Sequence, residues 1–209
     1  MTIIGLSGYK QSGKNTVARI ISDLSPGSEE TAFADPLRAL AKAIDPIVDF
    51  YDPNEVRGGG PMYYSEALEE YGYERAKALL PEFRRHLQRL GSDGMRDTIG
   101  GTYRLREIIG DDLWVVLMQI RLTNLEADML NGSTPDAHII VTDVRFPNEA
   151  DLIRDMGGVM VRISRDGDLP VDPHQSETAL DNYQGFDVRI HNGGSLDALK
   201  QAVELSGLI

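Results

Sequence analysis

A glycine-rich turn between an apolar run and a helical pattern is the feature that most constrains this fold. The turn reads Gly8-Tyr-Lys-Gln-Ser-Gly-Lys-Asn-Thr16, and it follows an apolar run at 2–7. Apolar side chains then recur at helical spacing from Val17 to Leu24. A strand, a tight glycine turn and a helix in this order can bind phosphate on successive backbone N–H groups. The order therefore predicts a phosphate-binding loop.

The chemistry of the turn fits this prediction. Its two glycines let the backbone approach an anion, because neither has a Cβ, and the helix N-terminus adds positive potential. Lys14 adds a full charge for the terminal phosphates of a nucleotide. The hydroxyl that usually follows this lysine is displaced by one residue, to Thr16, which leaves open whether it ligates magnesium. The predicted phosphate ligands are Gly8, Lys10, Ser12, Gly13, Lys14, Asn15 and Thr16. The alternative is a glycine turn with an exposed lysine.

Composition argues against several other kinds of protein. The net charge of −12 disfavours broad nucleic-acid binding, which needs cationic surface to displace counterions. Cysteine is absent, which excludes disulfides and thiolate metal sites. No stretch approaches the about 18 apolar residues of a membrane helix, and no basic leader precedes an apolar run. We therefore expect a soluble cytoplasmic protein without stable nucleic-acid or membrane partners.

Apolar runs alternate with helical patterns along most of the chain. Strands are predicted at 2–7, 31–34, 138–143, 158–164 and 187–191. Helices are predicted at about 14–24, 36–48, 64–80, 82–90, 111–130, 148–156 and 195–206. This alternation predicts a central parallel sheet covered by helices on both faces, a three-layer α/β/α fold.

Two segments interrupt the alternation. Residues 50–110 are rich in Tyr, Glu, Arg and Gly and contain no convincing strand, so we expect a mostly helical insertion. Residues 165–176 form a polar loop with two prolines, where a lid would be expected in a phosphotransferase. We expect 1–209 to form a single domain that carries both segments.

Polar residues follow the predicted strand 138–143, where ligands of parallel sheets bind. Asp143 is placed to hold magnesium, directly or through water, or else to cap the next turn. Arg145 offers a planar fork for a transferring phosphoryl group or an acceptor phosphate. Its alternative is a salt bridge to Glu149 or Asp151 on the next helix.

Further polar residues lie at other predicted turns. Asp35 is a candidate for binding an acceptor sugar or base, or an ordinary N-cap, and Arg38 is a candidate for the acceptor phosphate. Gln88 suits a base edge and Arg96 suits an anion, although the turn that carries them also fits an ordinary interhelical connection. Arg165 opens the predicted lid and is placed to neutralise donor phosphates when the lid closes, or to stack on adenine. Arg162 lies three positions before Arg165, so its side chain is expected on the other face of the strand. For Arg162 we therefore expect a structural ion pair.

Six motifs occur in order over most of the chain: Gly8–Thr16, Phe33–Arg38, Leu87–Arg96, Asp112–Trp114, Asp143–Ala150 and His174–Glu177. With these motifs the chain resembles the phage-type deoxynucleoside monophosphate kinases, a branch of the P-loop kinases. The ending Gly-Lys-x-Thr of the glycine turn is typical of nucleoside and nucleotide kinases. The runs Asp143–Ala150 and His174–Glu177 are narrower signatures and carry most of the resemblance.

The resemblance implies transfer of the γ-phosphate of ATP, with Mg²⁺, to a deoxynucleoside monophosphate. It implies catalytic roles for Lys14, Asp143 and Arg145, and a P-loop kinase fold with a lid, often as a homodimer. Two alternatives stay open. One is a kinase for another small acceptor such as dephospho-coenzyme A, and the other is a P-loop ATPase or switch protein. A GTPase switch would be expected to have Asn-Lys-x-Asp, which does not occur here.

Overall fold

The computed structural model describes residues 1–54, 58–91, 112–132, 134, 136–167 and 178–209. The strands within these ranges are β1 (Thr2–Ser7), β2 (Glu29–Thr31), β3 (Ile47–Phe50), β4 (Pro61–Tyr63), β5 (His138–Val141), β6 (Val159–Ser164) and β7 (Val188–His191). The helices are α1 (Lys14–Leu24), α2 (Asp35–Ile44), α3 (Tyr64–Tyr71), α4 (Tyr73–Leu79), α5 (Pro81–Gln88), α6 (Leu113–Asn131), α7 (Pro147–Asp155) and α8 (Leu196–Leu205). These elements fall into two compact units, one of 1–33 with 114–209 and one of 34–113.

The first unit is built on a five-stranded parallel sheet with the order β2-β5-β1-β6-β7. The chain leaves β1 toward β2 through α1, and it leaves β5 toward β6, in the opposite direction, through α7. Because such crossovers are right-handed, α1 and α7 must cover opposite faces of the sheet. The expected three-layer α/β/α architecture with a central parallel sheet is therefore confirmed.

Side-chain packing shows the two covered faces. One core cluster joins alternate residues of the sheet, such as Ile4 and Leu6 of β1, to Val17 of α1 and Leu199 of α8. Gly5 faces the other side of the sheet, where a Cβ built on it would contact Met160 of β6 and Ile153 of α7. Near-continuous apolar strands such as β5, in which all four residues are buried, are what a sheet covered on both faces requires.

The second unit has a core of its own. The strands β3 and β4 form an antiparallel pair, and α3, α4 and α5 follow. Tyr64 and Phe83 are fully buried there and stack with ring centroids 4.4 Å apart, and Tyr73 meets Phe83 edge-on at 5.9 Å. Burial, with a smaller effect of the neighbouring Tyr73, raises the pKa of Tyr64 to about 12. Aromatic stacking is thus one part of a core that also contains aliphatic side chains such as Val48 and Leu80.

The structure corrects several elements predicted from the sequence. The strand expected at 31–34 lies earlier, at Glu29–Thr31 (β2). The helix expected at 36–48 ends at Ile44, because Asp45 takes a left-handed conformation (φ 49°) before Pro46, and strand β3 follows. The helix expected at 64–80 is divided by Gly72 (φ 70°). Strand β4 lies within 50–110, where no strand was expected. The single-domain organisation with an insertion stays a prediction.

Within the ranges given above, no helix combines the length and the apolar character that crossing a membrane requires.

Gly158, which precedes β6, provides a test of the packing of α7 against the sheet. A Cβ on this residue would lie 2.7 Å from the carbonyl oxygen of Ile3 and 2.8 Å from that of Ile153. Both are backbone atoms, so Gly158→Ala should destabilise the protein by about 1–3 kcal/mol. The expected drop in melting temperature is roughly 2–4 °C per kcal/mol. A thermal unfolding scan measures it.

Gly60→Ala is the matched control, because a Cβ there meets no atom within 4 Å and the residue has no left-handed φ. Equal melting temperatures for Gly158→Ala and Gly60→Ala would contradict the described packing.

Candidate phosphate-binding site

The phosphate loop lies at the carboxyl end of β1, at the centre of the sheet, and leads directly into α1. Here the connections from β1 and from β5 leave in opposite directions, and ligands of such sheets bind at this switch point. A Cβ on Gly8 would overlap the carbonyl oxygen of Ile163 and would lie 2.6 Å from the hydroxyl of Ser12. Gly13 has φ +106° and is the N-cap of α1. At Gly8 the packing, and at Gly13 the backbone conformation, require glycine.

Hydrogen bonds within the loop hold Lys14 over its first residues. The Lys14 ammonium donates to the carbonyl oxygens of Gly8 at 2.7 Å and of Tyr9 at 2.8 Å. The Ser12 amide donates to the Tyr9 carbonyl at 3.1 Å. The Ser12 side chain is completely buried, and among the described residues its hydroxyl has no hydrogen-bond partner. The loop thus brings together a fixed cation and a hydroxyl whose hydrogen-bonding capacity is unused in the described residues.

Arg162 of β6 supports the loop from one side. Its guanidinium donates to the Ser7 hydroxyl at 3.3 Å and to the Asp181 carboxylate at 3.0 Å, and it lies over the Tyr9 ring at 4.9 Å. Burial, followed by a hydrogen bond to Asp181, raises the pKa of Tyr9. The structural ion pair expected for Arg162 is confirmed, since this side chain is only 13% exposed and pairs with Asp181.

Asp143 lies at the carboxyl end of β5, the strand beside β1. The backbone after β5 keeps its pairing, because the Thr142 amide donates to Thr31 and the Val144 amide to Leu6. One oxygen of the Asp143 carboxylate accepts from the Phe33 amide at 2.6 Å. This contact joins Asp143 to the turn after β2, which neither of the two predicted roles described, and Asp143 lies at the same sheet edge as the phosphate loop.

Glu149 of α7 holds the turn that carries Asp143 and Arg145. One of its oxygens accepts from the Arg145 amide at 2.8 Å and from the Phe146 amide at 3.1 Å. The side chain is buried, with the residue 5% exposed. Burial raises the pKa of Glu149 to about 7, with Asp143 adding to the shift and the two backbone amides opposing it. Sequence reasoning considered Glu149 only as a salt-bridge partner of Arg145 and missed this backbone contact.

The other residues predicted in the first unit are more accessible. Lys10 and Asn15 of the loop, Arg145 and Arg165 are exposed, and Thr16 is half-buried near the start of α1. Exposed cations at the carboxyl edge of a parallel sheet are accessible to an anionic ligand. Their roles as ligands stay predictions.

In the second unit, Asp35 and Arg38 pair with each other. The Arg38 guanidinium donates to the Asp35 carboxylate at 3.0 Å and lies 4.3 Å from the centroid of the Tyr73 ring. Asp35 is the first helical residue of α2, so the N-cap is Ala34 and not Asp35 as one reading had it. The sequence did not predict the contact between Tyr73 and Arg38. Arg38 is thus held in one orientation by an opposite charge and an aromatic face.

The remaining predictions concern Gln88, Arg96 and the lid. Gln88 is exposed at the end of α5. Arg96 and most of the predicted lid at 165–176 lie outside the described residues. In the described ranges, no three or more His, Asp or Glu side chains form a group that could hold a metal ion.

The raised pKa of Glu149 predicts a pH dependence of stability. The unfolded chain releases this proton near pH 4.5 and the folded chain near pH 7, so the folded state binds more protons in between. The unfolding free energy should therefore fall as pH rises through this window, on the order of 3 kcal/mol from this group. Glu149→Gln keeps an oxygen acceptor but removes the titration. In urea unfolding, the unfolding free energy of Glu149→Gln relative to that of wild type should be about 3 kcal/mol higher at pH 8 than at pH 5.

Glu204→Gln, at an exposed position of α8, is the control and should show no such change between the two pH values. A stability difference between Glu149→Gln and wild type that does not vary with pH would contradict the assigned burial effect.

Comparisons with known proteins identify a family that this chain resembles in sequence. The family model described as "Deoxynucleotide monophosphate kinase" matches residues 82–203. A protein of Acanthamoeba polyphaga mimivirus whose name places it in this family is 30% identical over 94% of this chain and 91% of its own length. The deoxynucleotide monophosphate kinase of Escherichia phage RB69 is 27% identical over 98% of both chains. A solved structure titled "Crystal structure of TT1252 from Thermus thermophilus" covers 98% of this chain and 95% of its own, with 16% identity and a TM-score of 0.42.

The central parallel sheet with a glycine-rich loop after its middle strand, and a family model that matches more than half of the chain, lead to one assignment. The chain belongs to the deoxynucleotide monophosphate kinase family.

Proposed function

We propose that this chain transfers the γ-phosphoryl group of ATP to a deoxynucleoside 5′-monophosphate in a magnesium-dependent reaction. Its membership of a family of deoxynucleotide monophosphate kinases supports the reaction class. The observation that carries the donor site is the position of Lys14, whose ammonium lies over the loop at the carboxyl end of β1. An ammonium fixed beside the N-terminus of a helix favours a polyphosphate.

The loop residues fit a triphosphate. Gly8 and Gly13 keep side chains out of the loop, and the Ser12 hydroxyl is buried without a hydrogen-bond partner among the described residues. We assign the donor phosphates to these residues and to Lys14, with Lys10, Asn15, Thr16 and Arg165 at the accessible edge.

Thr16 and Asp143 are the residues proposed to hold the magnesium ion. Mg²⁺ commonly uses one or two protein oxygens and completes its shell with water and substrate phosphates, so a hydroxyl and one carboxylate are a sufficient protein contribution. Asp143 is half-buried at the sheet edge that also carries the loop. The ion would neutralise charge on the phosphates when bound.

The reaction needs little covalent chemistry from the protein. An oxygen of the acceptor phosphate forms a bond to the γ-phosphorus, the bond from that phosphorus to the β–γ bridging oxygen breaks, and ADP leaves with the electron pair. The acceptor oxygen is already anionic, so no strong general base is required. Lys14 and Arg145 stabilise the charge that develops on the transferred group. We propose that 165–176 closes to exclude water, which would otherwise hydrolyse ATP.

For the acceptor, we propose Arg38, Gln88 and Arg96 as ligands of the monophosphate and its base, with Asp35 near the sugar. The support for Arg38 is its fixed orientation between the Asp35 carboxylate and the Tyr73 ring, because a guanidinium that is already oriented loses less entropy on binding phosphate.

We further propose that the protein is cytoplasmic, forms homodimers and has no stable nucleic-acid partner.

The proposal is tested by a coupled ADP-release assay with ATP and magnesium. The acceptors are each deoxynucleoside monophosphate, each ribonucleotide counterpart, dephospho-coenzyme A and no acceptor. We expect release that depends on one or more deoxynucleotides. Release with dephospho-coenzyme A alone would support the other kinase, and release without acceptor would support an ATPase.

In the same assay Lys14→Ala should lower turnover by about 100-fold or more, because it removes a fixed positive charge from the γ-phosphate. Lys200→Ala, at an exposed position of α8, is the matched control and should keep wild-type turnover. Near-normal turnover of a folded Lys14→Ala variant would remove the loop lysine from the mechanism.

Asp143→Asn separates the two roles of this side chain. The amide oxygen of asparagine still accepts from the Phe33 N–H, so the melting temperature should stay close to that of wild type. The loss of charge should lower kcat/KM by about 100-fold and raise the magnesium concentration needed for half-maximal rate. Asp155→Asn, exposed on α7, is the control. An unchanged magnesium dependence in Asp143→Asn would exclude Asp143 as a ligand.

A further inference from the structure

Asn192 connects the last strand of the sheet to the phosphate loop. It directly follows β7, and its backbone N–H donates to the Ser164 carbonyl at 2.7 Å, which fixes its position beside β6. Its side-chain amide donates to the Ser12 carbonyl at 2.9 Å. The two residues are 180 positions apart in the sequence, so this contact exists only in the folded sheet.

This hydrogen bond controls the direction of the next N–H group. The Ser12–Gly13 peptide is trans and planar, so the carbonyl of Ser12 and the N–H of Gly13 point in opposite directions. Because the carbonyl points to Asn192, the N–H of Gly13 must point away from it. Donor groups turned to one side in this way form an anion-binding concavity.

The conformation of Gly13 fits tightly against the same side chain. Gly13 has φ +106°, and a Cβ built on it would overlap the side-chain nitrogen of Asn192. Glycine thus both permits the backbone conformation and leaves room for the amide. The contact between Asn192 and the loop requires that residue 13 have no side chain.

We infer that Asn192 is a positioning residue of the phosphate loop: by holding the Ser12 carbonyl outward it keeps the Gly13 N–H directed at the donor phosphates. This inference rests on the proposed function, in which the loop binds the phosphates of ATP. Lys14 acts on the phosphate through its charge, whereas Asn192 is neutral and acts through the loop backbone. Its loss should therefore weaken donor binding less than the loss of Lys14 and should leave acceptor binding unchanged.

Calorimetric titration with sodium tripolyphosphate tests the inference on the full chain, using Asn192→Ala and, as a matched control, Asn182→Ala at an exposed position. Loss of one oriented hydrogen-bond donor should raise the dissociation constant about 5- to 10-fold in Asn192→Ala. The KM for the acceptor monophosphate should be unchanged, and Asn182→Ala should match wild type in both. Equal tripolyphosphate affinity in a folded Asn192→Ala variant, or an equal rise in both constants, would overturn the inference.

A second measurement needs no variant. In ¹⁵N-labelled wild-type protein, saturating tripolyphosphate should shift the amide proton of Gly13 downfield, as expected for a new hydrogen bond to an anion. A Gly13 resonance that stays in place while that of Lys14 moves would overturn the inference alone. If wild-type protein binds neither tripolyphosphate nor ATP, the proposed donor site fails, and the role of Asn192 fails with it.

Discussion

The close packing of the loop after β1 against its neighbouring strands is the constraint on which the site depends. Gly8 leaves no room for a Cβ beside the Ile163 carbonyl, and the Val144 amide bonds to the Leu6 carbonyl just before the loop. The end of β1 is therefore held by the segment after β5, and the start of the loop packs against β6. A loop that is already ordered loses little further entropy on binding phosphate, which favours affinity.

Charge is organised locally in a protein that is acidic as a whole. The net charge is −12, yet the carboxyl edge of the sheet carries Lys14, Arg145 and Arg165, and Arg162 supports it from within. Cations that follow three neighbouring strands of an acidic protein can attract a polyphosphate without a general affinity for nucleic acid. Glu149 also acts locally. Its buried carboxylate accepts a hydrogen bond from the Arg145 backbone rather than forming an ion pair at the surface.

Local sequence patterns predicted the sheet well, and long-range contacts explain what they missed. The bounds of β1 and α1 agree with prediction, because an apolar run, a glycine turn and a helical period are all local signals. Strand β3 was missed because the pattern of α2 seemed to continue past Asp45-Pro46. The contacts of Asn192 with the phosphate loop and of Glu149 with the turn after β5 were missed. In both, the partner is a backbone group, which no side-chain pattern reveals. The expectations for Arg96 and for most of the lid fall on residues that the structure does not describe.

In the proposed reaction, the terminal phosphoryl group of ATP passes to an acceptor phosphate and not to water. Phosphorus NMR of the protein with ATP, magnesium and a deoxynucleoside monophosphate distinguishes these two outcomes, because it observes every phosphorus species in one sample. We expect the monophosphate signal to fall while the two signals of a deoxynucleoside diphosphate appear in equal amount with those of ADP. Growth of inorganic phosphate with an unchanged monophosphate signal would contradict the proposed transfer.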